Sequence, residues 1–241
     1  MLSPIRQAMK DAREKIAAAE LKAKHQSGDV KAIEKSAENY SEFEVLCLAV
    51  EKDVIALAAL PSAERDEMRK TLVNRYKGHV EAYLAIDDEY ANPVLVYMVM
   101  WLLDLGRIGD GLELGVVAVK QNQKTPKQIK RDIATFVSDE VLAWCQKEYD
   151  QGKSCAPYFD LSFRLLTEEW TVPDVVMMRY NKLAGKIAND AGDFENAEKY
   201  LEAAIKFETP NQKAQVTTLL SKVRKELAKQ IEPALDAPKP D

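Results

Sequence analysis

Apolar residues recur along most of the chain at intervals of three and four positions, which is the spacing of one face of an α-helix. Short breaks separate these stretches, and most of them carry a proline or a residue whose side chain caps a helix. The helix starts that these breaks mark are Ser3-Pro4, Ser41 with Glu44, Asn92-Pro93, Thr125-Pro126, Pro157 and Pro173. The pattern predicts an all-α protein in which helical hairpins form a multi-helix bundle.

The first 40 residues form a heptad-patterned N-terminal region. Its apolar positions are Ile5, Met9, Ala12, Ile16, Ala19 and Ala23, followed after Gly28 by Val30, Ile33, Ala37 and Tyr40. Alternating steps of four and three are typical of a coiled coil that joins copies of a chain, and also of one arm of a hairpin packed on its own domain. We therefore predict a helical N-terminal region over residues 1–40, a helical core domain over 41–231 and a disordered tail over 232–241.

The most apolar segment is VLVYMVMWLLDL, residues 94–105, which is apolar on nearly every side and predicts a fully buried helix. It is shorter than the run of about 18 apolar residues that a membrane-spanning helix needs. The first 24 residues carry charges throughout, unlike a signal peptide. Three widely spaced cysteines, Cys47, Cys145 and Cys155, are typical of reduced thiols. We expect a cytoplasmic protein that makes no contact with a membrane.

Two segments of the chain echo each other at an offset of 86 residues. The matching pairs are Gly106 with Gly192, Ile108 with Phe194, Gly111 with Ala197, Gly115 with Leu201, and Ala118 with Ala204. Small residues at these positions let two antiparallel helices approach closely. The second copy, which also has Gly185, resembles a tetratricopeptide hairpin. We predict hairpins within a compact domain, and the alternative is a repeat groove that binds a peptide.

Charge is sorted along the chain, whose net charge is −5. That total argues against a uniformly basic surface, so contact with phosphates would have to be local. Residues 1–35 hold eight lysines or arginines against five acids, and residues 120–131 hold five basic residues and no acid. Residues 187–208, in contrast, hold six acids against two lysines. The separation indicates different surfaces for different partners.

Sequence motifs for catalysis are scarce. The chain has neither the glycine-rich phosphate loop Gly-x-x-x-x-Gly-Lys nor a dinucleotide-binding Gly-x-Gly-x-x-Gly. Its two histidines, His25 and His79, are far apart, whereas a zinc site needs about four ligands at short spacings. The acidic run Asp87-Asp88-Glu89 is the one candidate for Mg²⁺, but neighbours on a helix point about 100° apart and do not converge on one ion. We predict no catalytic residue, no metal ligand and no cofactor.

The basic stretch after Gln123 is the clearest candidate for a binding surface. With a helix starting at Thr125-Pro126, positions 127, 130 and 131 would share one face. Such a face could contact a phosphate backbone, which needs charge but no sequence-specific geometry. The alternative is an ordinary solvated helix face.

The order of these parts resembles the small subunit of the terminases of temperate tailed phages that package DNA with cohesive ends. The specific part is MWLLDLGRIGDGLELGVVA, an apolar helix ending in Trp101-x-Leu103-Asp104-x-Gly106 and followed by a helix rich in alanine and glycine. Glu140 before Val-Leu-Ala, the hairpin that starts at Gly192, and the opening Leu-Ser-Pro fit the same pattern. The likeness extends over residues 1–230.

The resemblance implies a subunit that binds double-stranded viral DNA near the packaging start, assembles into a homo-oligomer and delivers the genome to the large terminase subunit. Small subunits of this branch are often labelled the endonuclease subunit, although no nuclease or ATPase motif occurs in this chain. A basic C-terminal tail is common in the family, and this chain lacks one, which shifts the expected DNA contacts elsewhere. The expected DNA-binding residues are Arg6, Lys10, Arg13, Lys22, Lys24, Lys124, Lys127, Lys130 and Arg131.

Two alternatives remain at this stage. One is a tetratricopeptide-like adaptor that binds a protein partner without DNA contact, and the number of good repeats decides it. The other is a nuclease that uses a carboxylate cluster with Mg²⁺.

Overall fold

A computed structural model describes residues 41–86 and 89–235, and throughout these two stretches the regular secondary structure is helical. The prediction of an all-α fold is confirmed. The helices are α1 (Glu42–Ala59), α2 (Ser62–Leu84), α3 (Pro93–Asp104), α4 (Ile108–Lys120), α5 (Ile133–Asp150), α6 (Tyr158–Glu168), α7 (Asp174–Asp190), α8 (Phe194–Lys206) and α9 (Thr217–Leu235). None of them is long and apolar enough to cross a membrane. The predicted heptad region lies outside the described residues.

As far as the structure describes it, the chain divides between Tyr83 and Leu84 into two compact units. In the first unit, α1 and α2 form an antiparallel hairpin. Ser41 caps α1 through the predicted capping box: the Glu44 N–H donates to the Ser41 hydroxyl at 3.2 Å, and Glu44 accepts the Ser41 N–H at 2.8 Å. Midway along the hairpin, the Tyr76 hydroxyl donates to Asp53 at 2.7 Å. The domain boundaries predicted at residues 40 and 231 stay predictions.

The second unit begins with the hairpin of α3 and α4. Asn92 caps α3 by accepting the Leu95 N–H at 3.2 Å, and Pro93 follows as the first helical residue, as predicted. Buried side chains surround most of α3, as its apolar sequence predicts; they are Val94, Leu95, Val96, Met98, Val99, Trp101, Leu102 and Leu103. The hairpin therefore supplies a large part of the core of this unit.

Helix α5 is central to the second unit, because it packs against α3, α4, α6 and α7. Tyr180 of α7 connects three of these helices. Its hydroxyl donates to the Ser138 carbonyl of α5 at 2.9 Å and lies 3.2 Å from the Ser162 hydroxyl of α6. Burial of Tyr180 raises its pKa. The phenol is therefore neutral at physiological pH and acts as a buried hydrogen-bonding group.

Helices α7, α8 and α9 complete the second unit with a cluster of small and aliphatic side chains. Ala197, Leu201 and Ala204 of α8 are fully buried, together with Val223 of α9. Gly185 of α7 allows α8 to come close, since a Cβ at this position would lie 2.6 Å from the Leu201 side chain. The predicted close approach of this hairpin is therefore confirmed.

The echo at an offset of 86 residues corresponds to a repeated turn of the backbone. Gly106 and Gly192 both have positive φ, of 71° and 77°, which glycine adopts without steric strain. The residue after each glycine donates its N–H to a carbonyl five residues earlier, at 2.9 Å in both turns. Both helices thus end in the same glycine-terminated motif before the chain reverses.

Candidate nucleic-acid interface

The basic stretch that follows α4 is a loop, which corrects the prediction of a helix from Thr125-Pro126. Helix α5 begins only at Ile133, where Asp132 accepts the Thr135 N–H at 2.7 Å and so caps the helix. The expectation that positions 127, 130 and 131 share a helix face is wrong for this reason. A carboxylate at a helix start is a strong cap, and it prevailed over the Thr-Pro pair.

We call residues 124–131 the basic loop. Thr125 closes it, since its hydroxyl donates to the Arg131 carbonyl at 2.7 Å and lies 3.3 Å from the Ile129 carbonyl. Inside the loop, the Ile129 N–H donates to the Pro126 carbonyl at 2.8 Å and forms a tight turn. The side-chain hydroxyl that would have capped a helix is therefore used to join the two ends of the loop.

Gln123 anchors the basic loop at its first end. Its side chain is buried, accepts the Asn92 N–H at 2.8 Å and donates to the Tyr90 carbonyl at 2.8 Å. These bonds tie the loop to the chain just before α3. Together with the Asp132 cap at the other end, they hold both ends of the loop in place.

Three lysines of the basic loop project into solvent. Lys124, Lys127 and Lys130 are exposed, and none forms an ion pair with a carboxylate within the part of the chain that the structure describes. Ammonium groups without a carboxylate partner are available to replace the counterions of a phosphate backbone. The loop brings these three predicted residues together, on one connection between two helices.

Arg131 behaves differently from the three lysines. Its guanidinium donates to Asp139 at 2.6 Å and lies 3.6 Å from the Glu140 carboxylate. Asp139 also accepts a hydrogen bond from Arg179 of α7 at 3.0 Å. Burial raises the pKa of Glu140, and the neighbouring Arg131 opposes that rise. The predicted residue Arg131 therefore belongs to an ion-pair cluster that joins α5 to α7.

Arg179 was missed by the sequence reasoning. Its neighbours in α7, Met178 and Tyr180, are uncharged, and nothing in its local sequence links it to Arg131 or Asp139. The other expected DNA-binding residues, Arg6, Lys10, Arg13, Lys22 and Lys24, lie outside the described residues. Their role stays a prediction.

The chemistry available elsewhere in the chain is limited. Across residues 41–86 and 89–235 no three His, Cys, Asp or Glu side chains come together as a metal site. Burial raises the pKa of the Cys47 thiol to about 11, with Glu51 and Glu44 adding to the rise, and burial also raises the pKa of Cys145. These thiols are protonated at neutral pH and are poor nucleophiles. Of the acidic run, residues 87 and 88 lie outside the described part.

Over the residues that the structure describes, the class of protein is all-α, with a closed loop of exposed lysines between two of its helices. The family model described as phage small terminase subunit matches residues 47–175, which is more than half of the 241 residues. The chain belongs to the phage small terminase subunit family. The matched region includes α3, α4, the basic loop and α5, and the resemblance drawn from the sequence is confirmed.

Two curated relatives are similar to this chain. The "Probable terminase, endonuclease subunit" of Haemophilus phage HP1 is 30% identical over 149 residues, which cover 61% of this chain and 53% of that protein. The "Terminase, endonuclease subunit" of Escherichia phage P2 is 25% identical over 198 residues, 79% of this chain and 76% of that protein. The matched part of this chain thus spans about half of the HP1 protein. No solved structure matches the chain.

Proposed function

We propose that this chain is a DNA-recognition and adaptor subunit of a phage packaging machine. In this role it binds double-stranded viral DNA, assembles with copies of itself and delivers the genome to the large terminase subunit. Membership of the small terminase subunit family supports the packaging role. The single observation that carries DNA binding is the basic loop, in which Lys124, Lys127 and Lys130 are exposed on a loop whose ends are fixed.

The electrostatics of the basic loop suit contact with phosphates in particular. The chain as a whole is acidic, so attraction to DNA must come from a local group of cations. Backbone contacts require charge and position but no recognition of base edges, and a loop of lysines meets that requirement. Sequence recognition, where it occurs, then depends on other residues.

Replacing Lys124, Lys127 and Lys130 together by alanine tests this proposal. We expect affinity for a fluorescein-labelled 30-base-pair duplex, measured by fluorescence anisotropy at low salt, to fall at least about tenfold. Each phosphate contact contributes about 0.9 to the slope of log K against log salt. Loss of three contacts should therefore lower the magnitude of that slope by about 3.

A matched control removes the same number of charges elsewhere in the second unit. Lys199, Lys222 and Lys225 are also exposed, on α8 and α9. Their replacement by alanine should leave the salt slope unchanged. Equal loss in both triple variants would show that only net charge matters, and no binding of the wild-type chain to any duplex would remove the DNA half of the proposal.

Self-assembly and contact with the large subunit are the other two parts of the proposal. The acidic hairpin, residues 187–208, is our candidate surface for the large subunit. Two of its acids, Glu198 and Glu202, pair with Arg224 of α9 at 2.6 and 2.5 Å. Asp193 caps α8 by accepting the Asn196 N–H at 3.1 Å, and Glu195 stands exposed in the first turn of the helix. Native mass spectrometry tests assembly: we expect multiples of 27.1 kDa, and a monomer at every concentration would contradict it.

The endonuclease wording belongs to the names of the two relatives, and we propose that this chain contributes no nuclease site. Incubation of the purified chain with linear DNA and Mg²⁺ should give no cleavage. Cleavage that disappears in an Asp87→Asn or Asp88→Asn variant would instead establish a carboxylate site in this chain. A chain that binds no DNA but captures the co-expressed large subunit would favour the tetratricopeptide-like adaptor.

A further inference from the structure

An open cavity of about 660 Å³ lies in the second unit, next to the basic loop. This volume falls within the range of about 300–1,000 Å³ that is usual for ligand pockets. Three parts of the chain form its walls: the start of α5, the start of α7, and the connection between α8 and α9. Arg131, the last residue of the basic loop, also lines it. The cavity therefore continues the basic surface.

The charged side chains that line the cavity are mainly cationic. They are Arg131, Arg179 and Lys213, against the single carboxylate of Asp139. Lys213 is 60% exposed and pairs at 3.2 Å with Glu208, which is not among the lining residues. Glu140 also lies 3.6 Å from Arg131, so the carboxylates beside the three cations are Asp139, Glu140 and Glu208, of which only Asp139 lines the cavity. A cavity of this kind favours an anionic ligand.

Asp139 accepts a hydrogen bond from each of the two arginines, and each arginine has further N–H donors. Arg131 donates to it at 2.6 Å and Arg179 at 3.0 Å, each through Nη1. A guanidinium has five N–H groups, and Arg179 makes no second hydrogen bond or ion pair among the described residues. The remaining N–H groups form a planar array that matches the oxygens of a phosphate.

Thr135 adds a hydroxyl to the wall of the cavity. It lines the cavity, only 5% of its surface is exposed, and its hydroxyl makes no hydrogen bond within the described part of the chain. The hydroxyl can therefore donate a hydrogen bond to a group bound in the cavity. Helix α7 also begins at the cavity, with Pro173 and Val175 in its wall and no side chain capping its first turn. Its N-terminus adds partial positive charge.

We propose that this cavity binds a phosphate group, held by Arg131, Arg179, Lys213 and the Thr135 hydroxyl. The phosphate belongs to the DNA strand that crosses the basic loop, because Arg131 is shared by the loop and the cavity. The assignment of this phosphate to DNA rests on the proposed function, whereas phosphate binding by the cavity does not.

Inorganic phosphate is the probe for the cavity itself. Binding to the folded chain should raise the melting temperature in sodium phosphate relative to sodium chloride at matched ionic strength and pH. Isothermal titration then gives the affinity of the wild-type chain. An equal melting temperature in both salts, with no heat of binding, would overturn the proposal.

Thr135→Val separates binding from folding, since valine has nearly the shape of threonine without the hydroxyl. Because the hydroxyl has no partner in the described residues, we expect unchanged or slightly higher stability without phosphate. Affinity for phosphate should fall about fivefold, as one hydrogen bond to a charged group is lost. Unchanged phosphate affinity in Thr135→Val would remove this residue from the site.

Arg179→Ala tests the cation array, and its expected effect is larger, about tenfold or more in phosphate affinity. Asp139 keeps Arg131 as a partner in this variant. Arg164→Ala is the matched control, because Arg164 is exposed on α6 and does not line the cavity. It should bind phosphate as the wild type does. Equal loss in both variants would contradict a site at Arg179.

Labelled duplex DNA then identifies the source of the phosphate. Arg179→Ala should weaken duplex binding and lower the magnitude of the salt slope by about 1. If Arg179→Ala loses phosphate binding but keeps its affinity for the duplex, the assignment of the phosphate to DNA is overturned. The cavity would then be assigned to a small phosphate compound. A wild-type chain that binds phosphate but no DNA would refute the proposed function while upholding the cavity.

Discussion

The two hairpins α3–α4 and α7–α8 reverse the chain in the same way but pack differently. In the first, Leu103 of the earlier helix lies over Gly111 of the later one. In the second, Gly185 stands on the earlier helix and Leu201 on the later one, so the large and small residues have exchanged sides. The offset of 86 residues thus repeats a backbone turn but not a packing interface. This distinguishes the chain from an array of equivalent repeats.

The connections that follow the two hairpins differ as well. The basic loop follows α4 and carries three exposed lysines, whereas the connection after α8 contributes Lys213 and neutral side chains to the cavity wall. The same backbone turn is therefore followed by two different surfaces. The substitutions below test how far the likeness of the hairpins extends.

Gly111→Val and Gly185→Val should have the largest effects. A Cβ would lie 2.7 Å from Leu103 at the first site and 2.6 Å from Leu201 at the second, and 3.3 Å from a backbone nitrogen at both. We expect each substitution to lower the free energy of unfolding by about 3 kcal/mol, because the helices must separate. Urea denaturation followed by circular dichroism measures this. Gly78→Ala in α2 is the control: nothing lies within 4 Å of its Cβ, so a gain of about 0.5–1 kcal/mol is expected.

Gly106→Ala and Gly192→Ala test the shared turn. Both glycines have positive φ and open space around the added Cβ, so only backbone strain should count. We expect a loss of about 1 kcal/mol at each site, equal within the error of urea denaturation. A large difference between the two would show that the turns are alike in geometry but not in energy.

Arg224→Ala examines a contact that the second hairpin has with α9. Arg224 bridges Glu198 and Glu202, and all three side chains are at least partly exposed. Because solvent screens such pairs, the shift in the urea midpoint should be smaller than for any of the glycine substitutions. It should vanish in 1 M NaCl. A shift that persists in high salt would indicate packing by the arginine stem instead.

Tyr149 makes the stability of the second hairpin depend on pH in the alkaline range. Its hydroxyl donates to Asp190 at the end of α7 at 2.6 Å, and burial together with this bond raises its pKa from 10 to about 12. The phenol is neutral in the folded state, so its contribution to stability is complete below pH 10 and is lost as pH rises towards 12. Tyr149→Phe should therefore lose less stability than the wild type between these values. Thermal denaturation gives the melting temperature of both chains across this pH range. An equal dependence of the melting temperature on pH in both chains would refute the assignment.

Helix starts were the most predictable part of the fold, because a cap or a proline acts within one turn of sequence. Ser41 with Glu44, Asn92-Pro93 and Pro173 all precede helices as expected. Thr125-Pro126 failed because its hydroxyl bonds within the loop and Asp132 caps α5 instead. That competition depends on where the chain folds back, which a local pattern does not contain.

The candidate site was predictable only where its residues are adjacent in sequence. A run of lysines without acids identified the basic loop. The ion-pair cluster was not foreseeable, since Arg131 and Arg179 are 48 positions apart and meet only through Asp139. Thr135 gave no signal either, as its isolation follows from packing and not from its neighbours in the sequence.

The anchoring of the basic loop by Gln123 and Asp132 has a consequence for variation among related phages. Both anchors stand just outside the loop and bond to residues before α3 or within α5. Insertions, deletions or changes of charge between them leave those bonds intact. Successive mutations can therefore remodel this segment while the helices at its two ends, α4 and α5, stay the same.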